Sequence, residues 1–255
     1  MEGNILERIR SVPGKVGFYY KNLATGDTME FRKDIPLQAA SVIKIPVLVE
    51  AFMQLESGRI NRNEVFTIRE KDKLPSCGAL TYMHSGLKVT LEDLYTLMII
   101  LSDNTATNLL IDYLGMDHIN RTLTKLGLTH TRINRLLFDA GQSAGGIENY
   151  ITAGEIGLLL EKLYHGEVIS AQASTGMLGI LKKQRLNGKI PFKLPKNIEV
   201  AHKTGEDSGI THDVGIVYAK QPFIVCFCGN EVDVPAYERL MQDVTAELLA
   251  FRQPD

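Results

Sequence analysis

Three short polar motifs, separated by long apolar segments, constrain the fold of this chain more than any other feature. They are Ser41-Val42-Ile43-Lys44, Ser102-Asp103-Asn104 and Lys203-Thr204-Gly205. The first places a serine beside a lysine, the second pairs a hydroxyl with an amide, and the third puts a cation on a predicted strand. These groups would equip a serine acyl-transfer site without a catalytic histidine. The fold must therefore bring three distant segments together.

The first motif opens the apolar segment SVIKIPVLVEAFMQLESG, which has helical character and stops at Gly58. On a helix, Ser41 and Lys44 are three residues apart and lie on one face. Apolar neighbours predict that Lys44 is desolvated, which lowers the lysine pKa and lets it accept the Ser41 proton. The alternative is a surface lysine on an amphipathic helix, which the other motifs disfavour. A second copy, Ser85-Gly86-Leu87-Lys88, contains glycine and is predicted to be a turn.

The second motif interrupts a helical region. Thr90 and Asp93 predict a helix start with a capping box. Ser102-Asp103-Asn104 then fits a cap between two helices, because all three residue types are favoured there. A capping role does not exclude Ser102 and Asn104 from facing a cleft.

The third motif begins as a predicted strand, Glu199–Thr204, which is expected to break at Gly205. Alternation along the strand places His202 and Lys203 on opposite faces. Taken alone, Lys203 would fit a charge that protects a sheet edge. Beside the other two motifs, a role in a site is favoured.

The three motifs, in this order and in a chain of this size, resemble those of class A β-lactamases and the related penicillin-binding proteins. The resemblance covers nearly the whole chain, including a C-terminal strand pair and the closing helix predicted at Tyr237–Arg252. It implies an α+β fold in which an antiparallel sheet flanked by helices adjoins an all-helical lobe. One two-lobed domain is expected over 1–255, with the sheet lobe at about 1–38 and 192–255 and the helical lobe at about 39–191.

The resemblance also implies roles for individual residues. Ser41 would be the nucleophile, Lys44 the acylation base or relay, and Ser102 a proton shuttle. The backbone N–H groups of Ser41 and Glu206 would form the oxyanion hole. The implied substrate is a β-lactam or a related amide or ester, and no cofactor is expected.

Substrate binding would fall mainly to the second and third motifs. Asn104 would hold the substrate amide, while Lys203 and Thr204, followed by Gly205, would bind a carboxylate. Glu206 departs from the family, which usually has a small uncharged residue there. If its side chain faces the cleft, Glu206 would repel an anionic substrate.

A larger departure affects release of the acyl group. Such β-lactamases use a loop glutamate to activate the hydrolytic water, and alignment on Arg135 places Leu137 at that position and Gly141 at the companion asparagine. A general base is worth about 10²–10⁴ in rate, so an ester on Ser41 is expected to turn over slowly. Asp139 is the nearest carboxylate and could substitute if the loop is shifted.

Composition excludes several other functions. The 255 residues have a net charge of −2 and no basic block, so nucleic acid is not indicated. The six histidines show no metal-ligand spacing, and the three cysteines are expected to be buried rather than paired. The chain begins without an apolar leader or membrane anchor, which predicts a cytoplasmic protein, or an extracellular or periplasmic one if a leader was removed.

Three functions stay open at this level. The first is a β-lactamase-type serine hydrolase, slow in deacylation because of Leu137. The second is a penicillin-binding or DD-peptidase-like acyl-transferase. The third is a binder or sensor that traps one acyl group without turnover. The oligomeric state is not indicated by the sequence.

Overall fold

The computed structural model describes residues 2–251 and has the predicted α+β architecture. The helices are α1 Glu2–Arg10, α2 Lys44–Glu56, α3 Leu91–Ile100, α4 Asn104–Leu114, α5 Met116–Lys125, α6 Ala140–Ala144, α7 Ala153–Tyr164, α8 Ala171–Leu181 and α9 Val234–Phe251. The strands are β1 Lys15–Asn22, β2 Thr28–Phe31, β3 Leu37–Gln38, β4 Val65–Thr67, β5 Lys88–Thr90, β6 Tyr150–Ile151, β7 Glu199–Asp207, β8 Ile210–Tyr218 and β9 Phe223–Asn230.

The main sheet has five antiparallel strands in the order β2-β1-β9-β8-β7. The order puts the two N-terminal strands beside the three C-terminal ones, so both ends of the chain contribute to one sheet. Strand β7, which contains the third motif, lies at one edge and pairs with β8. This edge adjoins the segment around Ser41.

Each face of the sheet packs against helices. Phe18, Tyr20 and Phe227 point to the face covered by α1 and α9, where they form one apolar cluster. The alternate residues Cys226 and Cys228 point to the other face, toward α7, and belong to a second cluster. Complete burial of a large apolar side chain contributes roughly 1.5–3 kcal/mol, so these two layers stabilise the sheet from both sides.

Helix α2 lies at the centre of the helical part and contacts α3, α4, α5 and α8. Its apolar residues are buried on nearly every side, as Ile45, Val47, Leu48 and Val49 show. A helix that is apolar all round must be surrounded by other elements. The first motif is therefore anchored to the middle of the core.

Several elements match the sequence predictions, and two predictions need correction. The capping box of Thr90 and Asp93 is confirmed, and α9 is described through Phe251, while Arg252 lies outside the described residues. The predicted break at Gly205 is wrong, because β7 continues to Asp207 and Gly205 pairs with His212. Strands β4, β5 and β6 also lie within 39–191, the lobe that was predicted to be all-helical.

Across residues 2–251, no helix combines the length with the apolar character that crossing a bilayer requires.

Candidate active site

The first motif forms a tight turn before α2. Residues Ala40–Ile43 make a 3₁₀ turn, and the α-helix begins only at Lys44, so Ser41 precedes the helix that was predicted to include it. Ser41 is half-buried and lines a cavity of about 660 Å³. The nucleophile proposed from the sequence is therefore open to a ligand.

A buried hydrogen-bond network connects the three motifs. Lys44 Nζ donates to the carbonyl oxygen of Ser102 at 2.6 Å and to Asn104 Oδ1 at 2.8 Å. Ser102 Oγ lies 3.0 Å from Lys44 Nζ and 3.0 Å from Lys203 Nζ. The Ser102 hydroxyl thus bridges two amines that are 159 residues apart in the chain, a separation given by their numbers 44 and 203. Asn104 also lines the cavity, so the network reaches its wall.

Both amines have lowered pKa values. Burial, followed by the nearby charge of Lys203, holds the pKa of Lys44 well below its usual range. Burial lowers the pKa of Lys203 to about 7, although the Asp213 carboxylate opposes the shift. The predicted desolvation of Lys44 is confirmed, since its side chain is fully buried. A neutral amine next to a serine hydroxyl can accept a proton.

Strained backbone surrounds the site. Ala40, Ser102 and Phe138 adopt positive φ angles of 41°, 55° and 60° although none of them is glycine. Such conformations cost on the order of 1–3 kcal/mol each and concentrate at functional sites. At Ser102 the αL backbone lies between the end of α3 and the cap of α4, where Asp103 accepts a hydrogen bond from the Ala106 N–H. The cap predicted for this motif is confirmed.

Gly205 allows the sheet to approach the nucleophile turn. A Cβ atom at this position would lie 3.0 Å from His212 Cδ2, 3.2 Å from Val42 Cγ2 and 3.3 Å from the Ala39 carbonyl oxygen. The His212 ring is fixed, because Nε2 is 2.8 Å from the Gln38 carbonyl oxygen and Nδ1 accepts from the Gly229 N–H at 3.0 Å. Glycine is needed here for the close approach of β7 to Ser41.

The remaining residues of the third motif are buried. Lys203 and Thr204 have exposed fractions of 0% and 3%, and Lys203 Nζ donates to the Thr204 carbonyl oxygen at 2.8 Å. Glu206, one residue past Gly205, is instead on the cavity wall. Lys203 and Thr204 are not among the residues that line this cavity, so the carboxylate-binding role expected for them stays a prediction.

A closed loop forms the wall opposite β7. Its two ends pair through Arg132 and Tyr150, and inside it Arg135 donates to Glu148 at 2.6 and 3.0 Å. Leu137 is held at both backbone groups, since its N–H and its carbonyl each bond to the Asn108 side chain at 2.9 Å. The Leu137 side chain lines the cavity that contains Ser41.

Four carboxylates line this cavity, and each accepts a hydrogen bond or forms an ion pair within the protein. Asp139 caps α6 by accepting from the Gln142 N–H, and Glu148 pairs with Arg135. The other two are Glu206, which pairs with Lys189, and Asp207, which accepts from the Ser208 N–H. Asp139, proposed as a substitute base, therefore lies at the cavity but also has a structural role.

Sequence reasoning missed Lys189, which is almost fully buried behind the third motif. Its ammonium lies 3.4 Å from the Gly205 carbonyl oxygen and 3.2 Å from that of His212. It also pairs with Glu206 at 2.9 Å and with Glu238 at 3.4 Å. No local pattern around Lys189 distinguishes it from a surface lysine, because all four partners are distant in sequence.

The three cysteines differ in how deeply they are buried. Cys226 and Cys228 are fully buried on one face of β9, and burial raises the pKa of both thiols, as expected for core side chains. Cys77 is half-buried and lines the cavity, so the expectation of a buried core position is wrong for this residue. Within residues 2–251, no group of three or more histidine, cysteine or acidic side chains could hold a metal ion.

Ser41 lines a cavity and lies three residues before the buried Lys44, which Ser102 joins to the buried Lys203 of the antiparallel sheet. This combination defines the class of β-lactamase-like serine enzymes. Comparison with known proteins agrees: the model of the β-lactamase enzyme family matches residues 2–251. The chain belongs to the β-lactamase enzyme family.

Individual relatives extend over most of the chain. Beta-lactamase 3 of Bacillus cereus is 26% identical over 92% of this chain and 76% of its own length. The match to the β-lactamase of Rhodobacter capsulatus is shorter. Its 27% identity extends over 62% of this chain and 55% of the relative's length.

Solved structures show the same fold. A β-lactamase from Sphaerobacter thermophilus superposes with a TM-score of 0.90 at 30% identity, covering 99% of this chain and 98% of that one. PBP-A gives a TM-score of 0.88 at 28% identity, covering 98% and 94%. A mutant of PBP-A has been solved as an acyl-enzyme complex with penicillin G.

Proposed function

We propose that this β-lactamase-family hydrolase forms an acyl-enzyme at Ser41 with a β-lactam or a related amide or ester, and that it releases the acyl group slowly. The observation that supports the proposal best is the buried chain of Lys44, Ser102 and Lys203 beside a cavity lined by Ser41. Such a chain supplies a proton acceptor and a proton donor without histidine.

In the acylation step, neutral Lys44 takes the proton of Ser41 as the hydroxyl attacks the substrate carbonyl. The lowered pKa of Lys44 favours the neutral amine, which is the form that a general base requires. The oxyanion would be held by the backbone N–H groups of Ser41 and Glu206, both of which belong to cavity-lining residues.

The proton then has to reach the leaving nitrogen or oxygen. Ser102 Oγ lies 3.0 Å from Lys44 Nζ, so it can receive the proton from Lys44 and deliver its own to the leaving group. Lys203, 3.0 Å away on the other side, supports the developing negative charge on that hydroxyl. Asn104 Oδ1 accepts from Lys44, and its amide would orient the substrate.

Slow deacylation follows from the composition of the cavity wall. Leu137 cannot take a proton, and the four nearby carboxylates are held by internal partners. Asp139 Oδ1 caps α6, so moving Asp139 toward the ester would weaken a cap that is typically worth about 1 kcal/mol. The ester on Ser41 should therefore persist.

The test is a time course of intact-protein mass after mixing with a penicillin, a cephalosporin and a generic ester. We expect one covalent adduct that forms within minutes and decays much more slowly. The Ser41→Ala variant should form none, and an adduct on that variant would refute the assignment of Ser41. Rapid return to the unmodified mass while the drug is consumed would refute slow deacylation.

A second candidate is a penicillin-binding acyl-transferase, which the presence of Leu137 and the similarity to PBP-A favour. In that case D-Ala-D-Ala peptides should be turned over while penicillins act only as inhibitors. The same mass assay, with peptide cleavage followed in parallel, separates the two functions.

A further inference from the structure

The carboxylate of Glu206 occupies the end of the cleft where the third motif meets the cavity. Its side chain is 54% exposed and lines the same cavity as Ser41. Its ion-pair partner, Lys189, has a side chain that is only 4% exposed. The negative end of this pair therefore faces the cavity, and the positive end is buried behind the strand.

The single positive charge of Lys189 does not neutralise the two carboxylates that it contacts. One ammonium is shared by two carboxylates, at 2.9 Å from Glu206 and at 3.4 Å from Glu238. Glu238 also accepts a hydrogen bond from Thr211, the residue that pairs with Glu206 across the sheet. Two acids and one base leave a net negative charge at this end of the cleft.

The next residue along the strand has the same sign. Asp207 is exposed, lines the cavity, and accepts a hydrogen bond from the Ser208 N–H. Lys203, three residues before Glu206 on the same strand, is fully buried, and its pKa of about 7 leaves it partly neutral. Arg135, a cation on the cavity wall, is paired with Glu148. An incoming carboxylate would meet more negative than positive charge here.

We propose that Glu206 determines substrate specificity: it pairs with Lys189, presents its own carboxylate to the cleft, and selects amides or esters whose group beside β7 is uncharged or cationic. This inference rests on the proposed acylation of Ser41 and adds the class of substrate. The exposed geometry favours a modest effect, since water and salt screen the repulsion.

The experiment compares two probes with the same acyl part, penicillin G and its methyl ester, which differ in one carboxylate. Acylation rate constants are measured by intact-protein mass at low and at 0.5 M added salt. We expect the wild-type protein to react faster with the ester, and its reaction with penicillin G to accelerate with salt. In Glu206→Gln, the rate ratio of penicillin G to ester should rise about tenfold, which corresponds to one Coulomb pair at short range, and the salt effect should shrink.

Glu199→Gln is the matched control. It removes an equal charge from the far end of the same strand, where Glu199 pairs with Lys182 on the surface. The rate ratio should stay at its wild-type value in this variant. Glu206→Gln keeps the shape of the side chain, so the variant is expected to fold. Thermal unfolding of both variants checks this.

Three results would overturn the inference. An unchanged ratio in Glu206→Gln would mean that its charge does not select the substrate. An equal change in Glu199→Gln would assign the effect to net charge alone. If neither probe acylates the wild-type protein, while the protein is folded, then the proposed function itself fails rather than the assignment of Glu206.

Discussion

Leu137 is the residue whose chemistry most limits turnover. Asn108 fixes its backbone on both sides at 2.9 Å, so a longer side chain introduced here would still point along the cavity wall. We predict that Leu137→Glu shortens the lifetime of the Ser41 ester by about 10² or more, because the new carboxylate can activate water. The lifetime is measured as the decay of adduct mass.

The amide variant separates base catalysis from loosening of the loop. Leu137→Gln has the same length as the glutamate variant but cannot accept a proton, so it should keep the long-lived adduct. Equal acceleration in both variants would show that the loss of leucine packing, rather than a new base, opens the ester to water. Acylation rates should stay similar in both, since Leu137 is not in the proton network of Ser102.

At the scale of elements, the contact between β7 and the turn before α2 determines whether the site forms. A methyl group at Gly205 would press on Val42 and on the fixed His212 ring, where the available distances are 3.2 and 3.0 Å. We predict that Gly205→Ala costs about 1–3 kcal/mol in the free energy of unfolding, as for other overpacked sites. It should also slow acylation of Ser41 at least tenfold, because the strand must move away from the nucleophile.

The matched control is another glycine with open space around it. Gly179 lies in α8 with no atom within 4 Å of a built Cβ. Gly179→Ala should stabilise the protein by about 0.5–1 kcal/mol through helix propensity and leave acylation unchanged. Urea unfolding and the mass assay give both quantities. A Gly205→Ala variant that acylates at the wild-type rate would contradict the close-approach argument.

Elements that depend on residues close together in the chain could be predicted from the sequence. Features that depend on contacts between distant residues could not. The capping box at Thr90 depends on residues three apart, so the start of α3 could be predicted correctly. The role of Gly205 could not, because a glycine in a strand suggests a break unless its neighbours Val42 and His212 are known. The place of Lys189 likewise depends on partners up to 49 positions away, as the numbers 189 and 238 show.

Within the site, too, some features could be predicted from the three motifs and others could not. Residue types and order were enough to predict that Lys44 and Lys203 lie close together, as their shared partner Ser102 shows. Their spacing gave no measure of burial, so the sequence could not tell that Cys77 lines the cavity. Positions on a cavity wall follow from packing between distant elements, which leaves no periodic signal in the chain.

For the whole molecule, the buried amines connect the stability of the fold to pH. Lys203 has a pKa of about 7 against an ordinary value of 10.5, because burial disfavours its ammonium. Between these values the unfolded chain binds more protons than the folded one, so the free energy of unfolding rises with pH. One such lysine adds at most about 1.4 kcal/mol per pH unit to the slope of the free energy of unfolding against pH. Lys44, whose pKa is also lowered, adds to the slope in the same direction.

We predict that Lys203→Met lowers this slope between about pH 7 and pH 9.5, because the contribution of Lys203 is removed. Burial, the largest cause of the low Lys44 pKa, still lowers that pKa in the variant. The window ends below pH 10, because burial raises the pKa of Tyr218 from 10 to about 12. Above pH 10 this tyrosine makes the free energy of unfolding fall with pH, opposite to the lysines. Urea unfolding at three or four pH values gives the slopes for wild type and variant. Lys196→Met, at an exposed lysine, should keep the wild-type slope. Identical slopes for wild type and Lys203→Met would mean that Lys203 stays charged in the fold.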